Sequence, residues 1–271
     1  MALSIRQATP ADGVQWVRAA FVLFARRALH FTGMFVGFLV AALLAAVLPV
    51  VGGVLMLMAL PLLTLGFMLA SRAARKDAPV HPGLFIEPLR SGRVQRNALL
   101  TLCAAYALAT VLIMSFSDWI DGGTFERLQR LLAQGDEAHA ELDALLADPR
   151  LTWGLLTRFG LAALLSVPFW HAPALVYWQG QSTAQALFSS TLAVWRCRGA
   201  FFAYSLAWAA LIAFAGTLLG VLFALFGARQ LAGVVAMPAG LLFSTVFYVS
   251  LLFTYEGCFS EDGAAAQLEA A

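Results

Sequence analysis

Six apolar runs without an acidic residue dominate the chain and leave few folds open to it. They cover about residues 29–49, 51–70, 98–116, 151–177, 200–226 and 231–255. About 20 helical residues cross a hydrocarbon core roughly 30 Å thick. Backbone polar groups in lipid must also be satisfied within their own segment. Each run is therefore predicted to be a transmembrane helix. Composition agrees: 61% of the 271 residues are apolar and 12% charged, against about 45–50% and about 25% in soluble domains. The expected fold class is an all-α polytopic membrane protein, forming one membrane domain over residues 1–271. A secreted disulfide scaffold, a nucleic-acid-binding domain and a disordered tail are excluded.

The turn Pro49-Val50-Val51-Gly52-Gly53 joins the first two runs, and Gly227-Ala228-Arg229-Gln230 joins the last two, so both pairs read as helical hairpins. The first run is expected to be a retained span, because further apolar runs follow it. Orientation follows from the basic residues, of which Lys76 is the only lysine. That skew toward arginine points to a GC-rich, bacterial coding sequence. Twelve of the 17 basic residues fall on one side: Arg6, Arg18, Arg26, Arg27, Arg72, Arg75, Lys76, Arg90, Arg93, Arg96, Arg196 and Arg198. Arg127, Arg130, Arg150, Arg158 and Arg229 fall on the other, with eight acids between Asp118 and Asp148. The positive-inside rule then places both termini in the cytoplasm of a bacterial inner membrane.

Residues 118–150 read as an extracytoplasmic helical hairpin. Leu128, Leu131 and Leu132 share a face, Glu126 is spaced to pair with Arg130, and Gly135 is a break. Asp136 is placed to cap a second helix carrying Ala138, Leu142, Leu145 and Leu146, which Pro149 ends. On the cytoplasmic side, three amphipathic stretches end in arginines and lead into outward-going spans. They run from Val14 to Arg27 (within an amphipathic segment 1–28), from Leu84 to Arg96 and from Ala186 to Arg198. Val14, Val17, Phe21 and Phe24 share a face. All three are expected to lie in the interface, where Arg26, Arg27, Arg93, Arg96, Arg196 and Arg198 are candidate contacts for lipid headgroups. Serving membrane insertion alone is the other reading of these arginines. A loose parallel repeat relates the first and last hairpins through Met58-Ala59-Leu60-Pro61 and Ala236-Met237-Pro238-Ala239.

Chemistry-bearing residues are sparse. The fourth run holds Val167-Pro168-Phe169-Trp170-His171-Ala172-Pro173, where two prolines exclude a regular helix. Pro168, His171 and Pro173 are the candidate gate; the alternative is a structural kink with a partly hydrated histidine beside an aromatic belt of Trp170, Tyr177 and Trp178. Arg158 is expected to snorkel to the headgroups, with no acid inside any run to pair with it and with Asp118 and Asp121 solvated. Gly33 with Gly37, and Gly216 with Gly220, are spaced for close packing within the bundle. The three cysteines are scattered, and His30, His81, His139 and His171 lie on different segments. Neither a disulfide framework nor a metal site is expected. HExxH, GxSxG and Walker patterns are missing, so no enzyme and no cofactor are expected.

The stretch Phe169-Trp170-His171-Ala172-Pro173-Ala174-Leu175-Val176, the helix ending Trp195-Arg196-Cys197-Arg198 and the segment Trp16 to Phe24 resemble an uncharacterised proteobacterial family of six-helix inner-membrane proteins. His171 and Arg198 depart from that family's usual pattern. More distantly, the interfacial helix followed by a membrane hairpin is similar to the membrane domain of some glycerophosphodiester phosphodiesterases. The resemblance implies fold and location and supplies no activity. The expected role is a non-enzymatic envelope protein that organises or assists membrane lipids or other membrane proteins. The alternative is a transporter or channel for a small or lipid-like solute.

Overall fold

The computed structural model describes residues 4–49, 51–134, 139–226 and 229–260, with side chains described except at 133–140 and 229–233. Chain order gives β1 (Ser4–Ile5), α1 (Pro10–Arg26), α2 (Ala28–Ala46), α3 (Val51–Arg75), two single 3-10 turns (Pro82–Phe85 and Glu87–Arg90) and α4 (Arg93–Asp121). There follow α5 (Thr124–Gln134), α6 (His139–Leu146), α7 (Pro149–Phe169), α8 (Ala172–Gln179), α9 (Thr183–Arg196), α10 (Arg198–Leu225), α11 (Arg229–Cys258) and β2 (Phe259–Ser260). Among the described residues six helical segments are long and apolar enough to cross a membrane: α2, α3, α4, α7 continued by α8, α10, and α11 from Val234. The six expected spans are all present.

Local chemistry explains where the helices begin and bend. At the start of α1, the Asp12 carboxylate accepts from the Thr9 backbone N–H (2.7 Å) and hydroxyl (2.8 Å), which closes a capping box. Ser182 and Gln185 cap α9 in the same way. Asp148 caps α7, with Pro149 as its first residue, where a missing N–H costs nothing. Pro149 therefore opens a span as well as ending the loop helix. Gly122 takes a left-handed φ of +61° directly after Asp121, so α4 runs five residues past the expected end of its apolar run at Phe116. The expected break at Gly135, cap at Asp136 and residue Ala138 lie outside the described residues, as do Val50 and the Gly227-Ala228 turn.

The core sits at the arginine-rich end. There α1 lies across α10 and α11 and buries Trp16, Val17, Ala20, Leu23 and Phe24. The expected interfacial face is corrected accordingly: Val14 is exposed, while Val17 and Phe24 are covered by protein. The approach is close enough that a Cβ on Gly13 would lie 2.1 Å from the Ala200 carbonyl oxygen, and one on Gly257 would lie 2.6 Å from the Trp16 indole. Trp16 also meets Phe201 at 5.6 Å between ring centroids. β1 and β2 tie the two ends of the chain together, with Ile5 opposite Phe259.

A second correction concerns the stretch from Leu84 to Arg96. It forms no amphipathic helix. The two 3-10 turns tuck Leu84 and Pro88 into the bundle, and Phe85 seats against Phe38 and Phe67 over the bare backbone of Gly66. Proline at 82 and 88 withholds the amide hydrogens that a continuous helix would need.

Away from this core the spans diverge. The most apolar window of α3 is 39% buried, against 17% for α2 and 6% for α10; α3 is the central helix, and the α2 and α10 arms face outward. Gly33, Gly37, Gly216 and Gly220 have open space where a Cβ would sit, so these glycines do not pack within the bundle as expected.

Candidate functional site

The helix break falls at Trp170–His171. Pro168 is accommodated in the last turn of α7 and Pro173 near the first turn of α8, so the two prolines bracket the break. His171 is fully buried, not partly hydrated. Its backbone N–H donates to Ser190 Oγ (3.0 Å), whose hydroxyl in turn reaches the Val167 carbonyl (3.1 Å). Thr254 Oγ1 donates to the Leu251 carbonyl (2.8 Å) and receives the Trp170 indole N–H (3.1 Å). With that hydroxyl hydrogen committed, His171 Nε2 at 3.2 Å donates to Thr254 Oγ1. Nδ1 is then the acceptor nitrogen, and it has no hydrogen-bond partner among the described residues. Phe201, Tyr255 and Phe259 enclose the imidazole. The aromatic belt is corrected as well: Trp170 faces inward, and Trp178 packs on Tyr255 at 4.9 Å with the Arg72 guanidinium 4.4 Å above its ring.

Trp170 separates two cavities. One, about 180 Å³, is lined by Leu60, Pro61 and Thr64 of α3, Tyr106 of α4, Ser166 and Phe169 of α7, and Leu251 of α11. The other, about 500 Å³, is lined by Tyr204, Ser205, Trp208 and Ile212 of α10 with Phe243 and Ser244 of α11. Trp170, Phe247 and Tyr248 border both. α7 packs on α4 and α9 while α10 packs on α1 and α11. The larger cavity lies between α10 and α11 and reaches the protein surface at the exposed Ile212.

Among the described residues, no charged side chain lines either cavity. Hydroxyls of serine, threonine and tyrosine, with the buried Trp208 indole N–H, supply the polarity. An apolar wall with a few fixed donors and acceptors suits an amphiphile that enters from lipid.

At the far end, α4 brings both Asp118 and Asp121 to Arg158 of α7. Arg158 Nη2 donates to Asp118 Oδ1, stands 3.6 Å from Asp121 Oδ2, and the guanidinium lies 3.9 Å over the Phe125 ring. Asp121 is fully buried and also accepts from the Gly123 N–H (2.7 Å). The expectation of a snorkelling Arg158 is overturned, and so is that of a solvated Asp121, because α4 continues far enough to deliver its acids; Asp118 is exposed as expected while it pairs with Arg158. The signal was Gly122-Gly123, a helix stop five residues beyond the apolar run. On α5, Glu126 and Arg130 pair as expected, at 3.8 Å.

The six candidate headgroup arginines are not brought together. Arg26, Arg93, Arg196 and Arg198 are exposed, Arg96 is half-buried, and Arg27 pairs with Asp77 at 3.2 Å. Arg198 lies 5.5 Å over the Trp195 ring. Cys197 and Cys258, far apart in sequence, are free thiols hydrogen-bonded to each other, and Cys197 Sγ also donates to the Arg6 carbonyl (3.3 Å). The cavity residues Trp208, Ser244, Phe247 and Tyr248 carried no distinctive spacing in sequence. Only the fold brings them together.

No protein-family model matches the chain. No solved structure matches it. A protein of Burkholderia thailandensis named as a probable inner membrane protein is 34% identical to it over 248 residues, covering 91% of this chain and 90% of the relative. With that identity across nearly the whole of both chains, and six helices able to span a bilayer, the protein belongs to the family of this inner membrane protein and is a multi-pass integral membrane protein.

Proposed function

We propose that the protein is a non-enzymatic inner-membrane component that holds a lipid in the larger cavity beside Trp170 and so organises or assists other envelope components. The observation that carries this reading is the cavity lining: aromatic and aliphatic walls, scattered hydroxyls and no charge. Non-enzymatic action is supported by the side chains around the lining serines. His171, the nearest imidazole in sequence, is committed to Thr254, and Ser166 Oγ is turned back onto the Ala163 carbonyl (2.7 Å). Both termini are placed in the cytoplasm, a reading supported by the twelve-to-five division of basic residues.

Two experiments test these statements. Reporter fusions at residue 134 and at the C-terminus are expected to report outside and inside respectively; an inside signal at 134 contradicts the topology. Lipid retained by the purified protein is expected to decrease when Ser205→Trp and Ser244→Trp fill the larger cavity, while folding is unchanged. The second reading, a transporter gated at the break, draws on Pro168, His171 and Pro173 lying beside the cavities. Solute flux in proteoliposomes that fails in both Pro168→Ala and His171→Ala would favour it. The two hydrogen bonds that hold residue 171 in place weigh for the closed, lipid-holding form.

A further inference from the structure

A third cavity, about 440 Å³, lies at the arginine-rich end between α1 and the ends of α3 and α11. Gln15, Arg18, Val22 and Arg26 reach it from one stripe of α1, at helical spacings of three and four, while the opposite stripe is the buried one. Arg75 enters from the end of α3 and Phe253 from α11. Arg75 is already committed: its guanidinium meets the Glu256 carboxylate and lies 6.0 Å from the Phe253 ring centroid. Arg18 and Arg26 have no ion-pair or hydrogen-bond partner among the described residues. Two uncommitted guanidiniums thus flank a third whose charge is balanced, over a floor of Val22, Leu23 and Phe253.

Guanidinium groups bind phosphate oxygens through paired N–H donors in a fixed plane. The apolar floor adds a surface that a small inorganic ion does not use. The glycerol and first methylenes of a lipid do. We infer that this pocket binds the phosphate of an anionic phospholipid headgroup, with Arg18 and Arg26 as the donors and the charge of Arg75 neutralised by Glu256. The inference rests on the lipid-engaging reading above but uses different residues at a different depth, so the two fail separately. It also separates Arg26 from the other five candidate headgroup arginines, because Arg26 alone among them lines this cavity.

The test uses the full-length protein in a neutral detergent, titrated with phosphatidic acid, phosphatidylglycerol and phosphatidylcholine, and read by native mass spectrometry. Wild type is expected to prefer the two anionic lipids. Arg18→Gln with Arg26→Gln is expected to weaken that preference about thirtyfold, from the loss of two interfacial cations. The Arg93→Gln with Arg96→Gln control is expected to keep it. Both pairs leave the apolar core untouched, so circular dichroism should match wild type. Glu256→Gln is expected to tighten anionic binding by releasing Arg75. Equal preference in wild type and the Arg18/Arg26 variant, or equal losses in the two double variants, overturns the site. Inorganic phosphate and glycerol 3-phosphate form the soluble arm. Competition by either at the concentration at which the lipid binds would make the ligand a free phosphate compound and overturn the headgroup assignment. Normal headgroup preference in the Ser205→Trp, Ser244→Trp variant, with lost retention in the membrane cavity, would locate the two sites independently.

Discussion

At the arginine-rich end, α1, α8 and α9 fill the spaces between spans, so that Leu175, Tyr204 and Tyr255 are almost completely covered. At the far end the same spans present Leu43 and Leu44 of α2, Phe214 and Leu225 of α10, and Val234 and Met237 of α11 to their surroundings. The sequence is apolar in both halves, so hydrophobicity alone does not produce the difference. Lipid tails are as apolar as leucine, and helices in a bilayer associate through close packing and interhelical hydrogen bonds. The packed half has both. Gly13 lets α1 touch the α10 backbone, and Tyr204 Oη meets Ser250 Oγ at 2.6 Å. Along the α2 and α10 arms Gly33, Gly37, Gly216 and Gly220 meet nothing where a Cβ would sit, close approach returning at the tip of the α2–α3 hairpin where Gly52 lies against Ala45, and the larger cavity is lined by α10.

The contrast can be broken most severely at an exception in the far half, the Arg158 cluster. Arg158→Ala leaves Asp121 buried against the same helix without its cation. Loss of one partner of a buried pair costs about 3–5 kcal/mol, and the variant should show the largest fall in thermal midpoint in detergent. Adding Asp121→Asn should recover part of it. A harmless Arg158→Ala would mean that the α4–α7 hairpin is held by something other than charge.

Next in size is a matched pair of glycine substitutions. Gly13→Ala forces the α1 and α10 backbones apart and should cost about 1–3 kcal/mol. Gly216→Ala meets nothing and should be neutral or stabilising by up to about 1 kcal/mol, since alanine favours the helix. Thermal unfolding of the two variants side by side reads the sign of each. Equal destabilisation would remove the distinction between the halves.

Smaller still is the effect expected of Arg196→Gln with Arg198→Gln, at about 1 kcal/mol of anionic-lipid attraction per arginine. Normal insertion with an unchanged lipid preference would mark these two as insertion signals only. The smallest effect concerns Asp12, whose carboxyl is held below its ordinary value of 3.8 by the Thr9 N–H and hydroxyl. A lowered value means that the capping contribution is complete above pH 3.8 and fades as the pH falls through the folded value. Asp12→Asn should therefore remove a small acid dependence confined to that range, readable in thermal midpoints taken from pH 6 down to pH 3.

The spans were legible because length and apolarity alone specify them, and the helix break was legible from Pro168 and Pro173. Contacts that depend on which faces meet were not. Phe85 reads as one more interfacial aromatic until Gly66 is placed beneath it, and Trp16 reads as a membrane anchor until Gly257 makes room for its indole. The Arg158 partners were hidden by ending α4 where its apolar residues end, although a helix continues until something stops it, here Gly122. The lipid-facing cavity was hidden for a different reason: Trp208, Ser244 and Phe247 have the same composition as any span, and nothing in their spacing distinguishes a lined hollow from a packed seam.

The most direct test of a lipid held in the larger cavity is native mass spectrometry of the purified protein under gradual activation. Wild type and the Arg93→Gln, Arg96→Gln variant should both retain a bound lipid after the detergent has been shed. The cavity-filled Ser205→Trp, Ser244→Trp variant should emerge with one lipid fewer at the same activation, with an unchanged helical spectrum. The same lipid retained equally by all three would contradict the account.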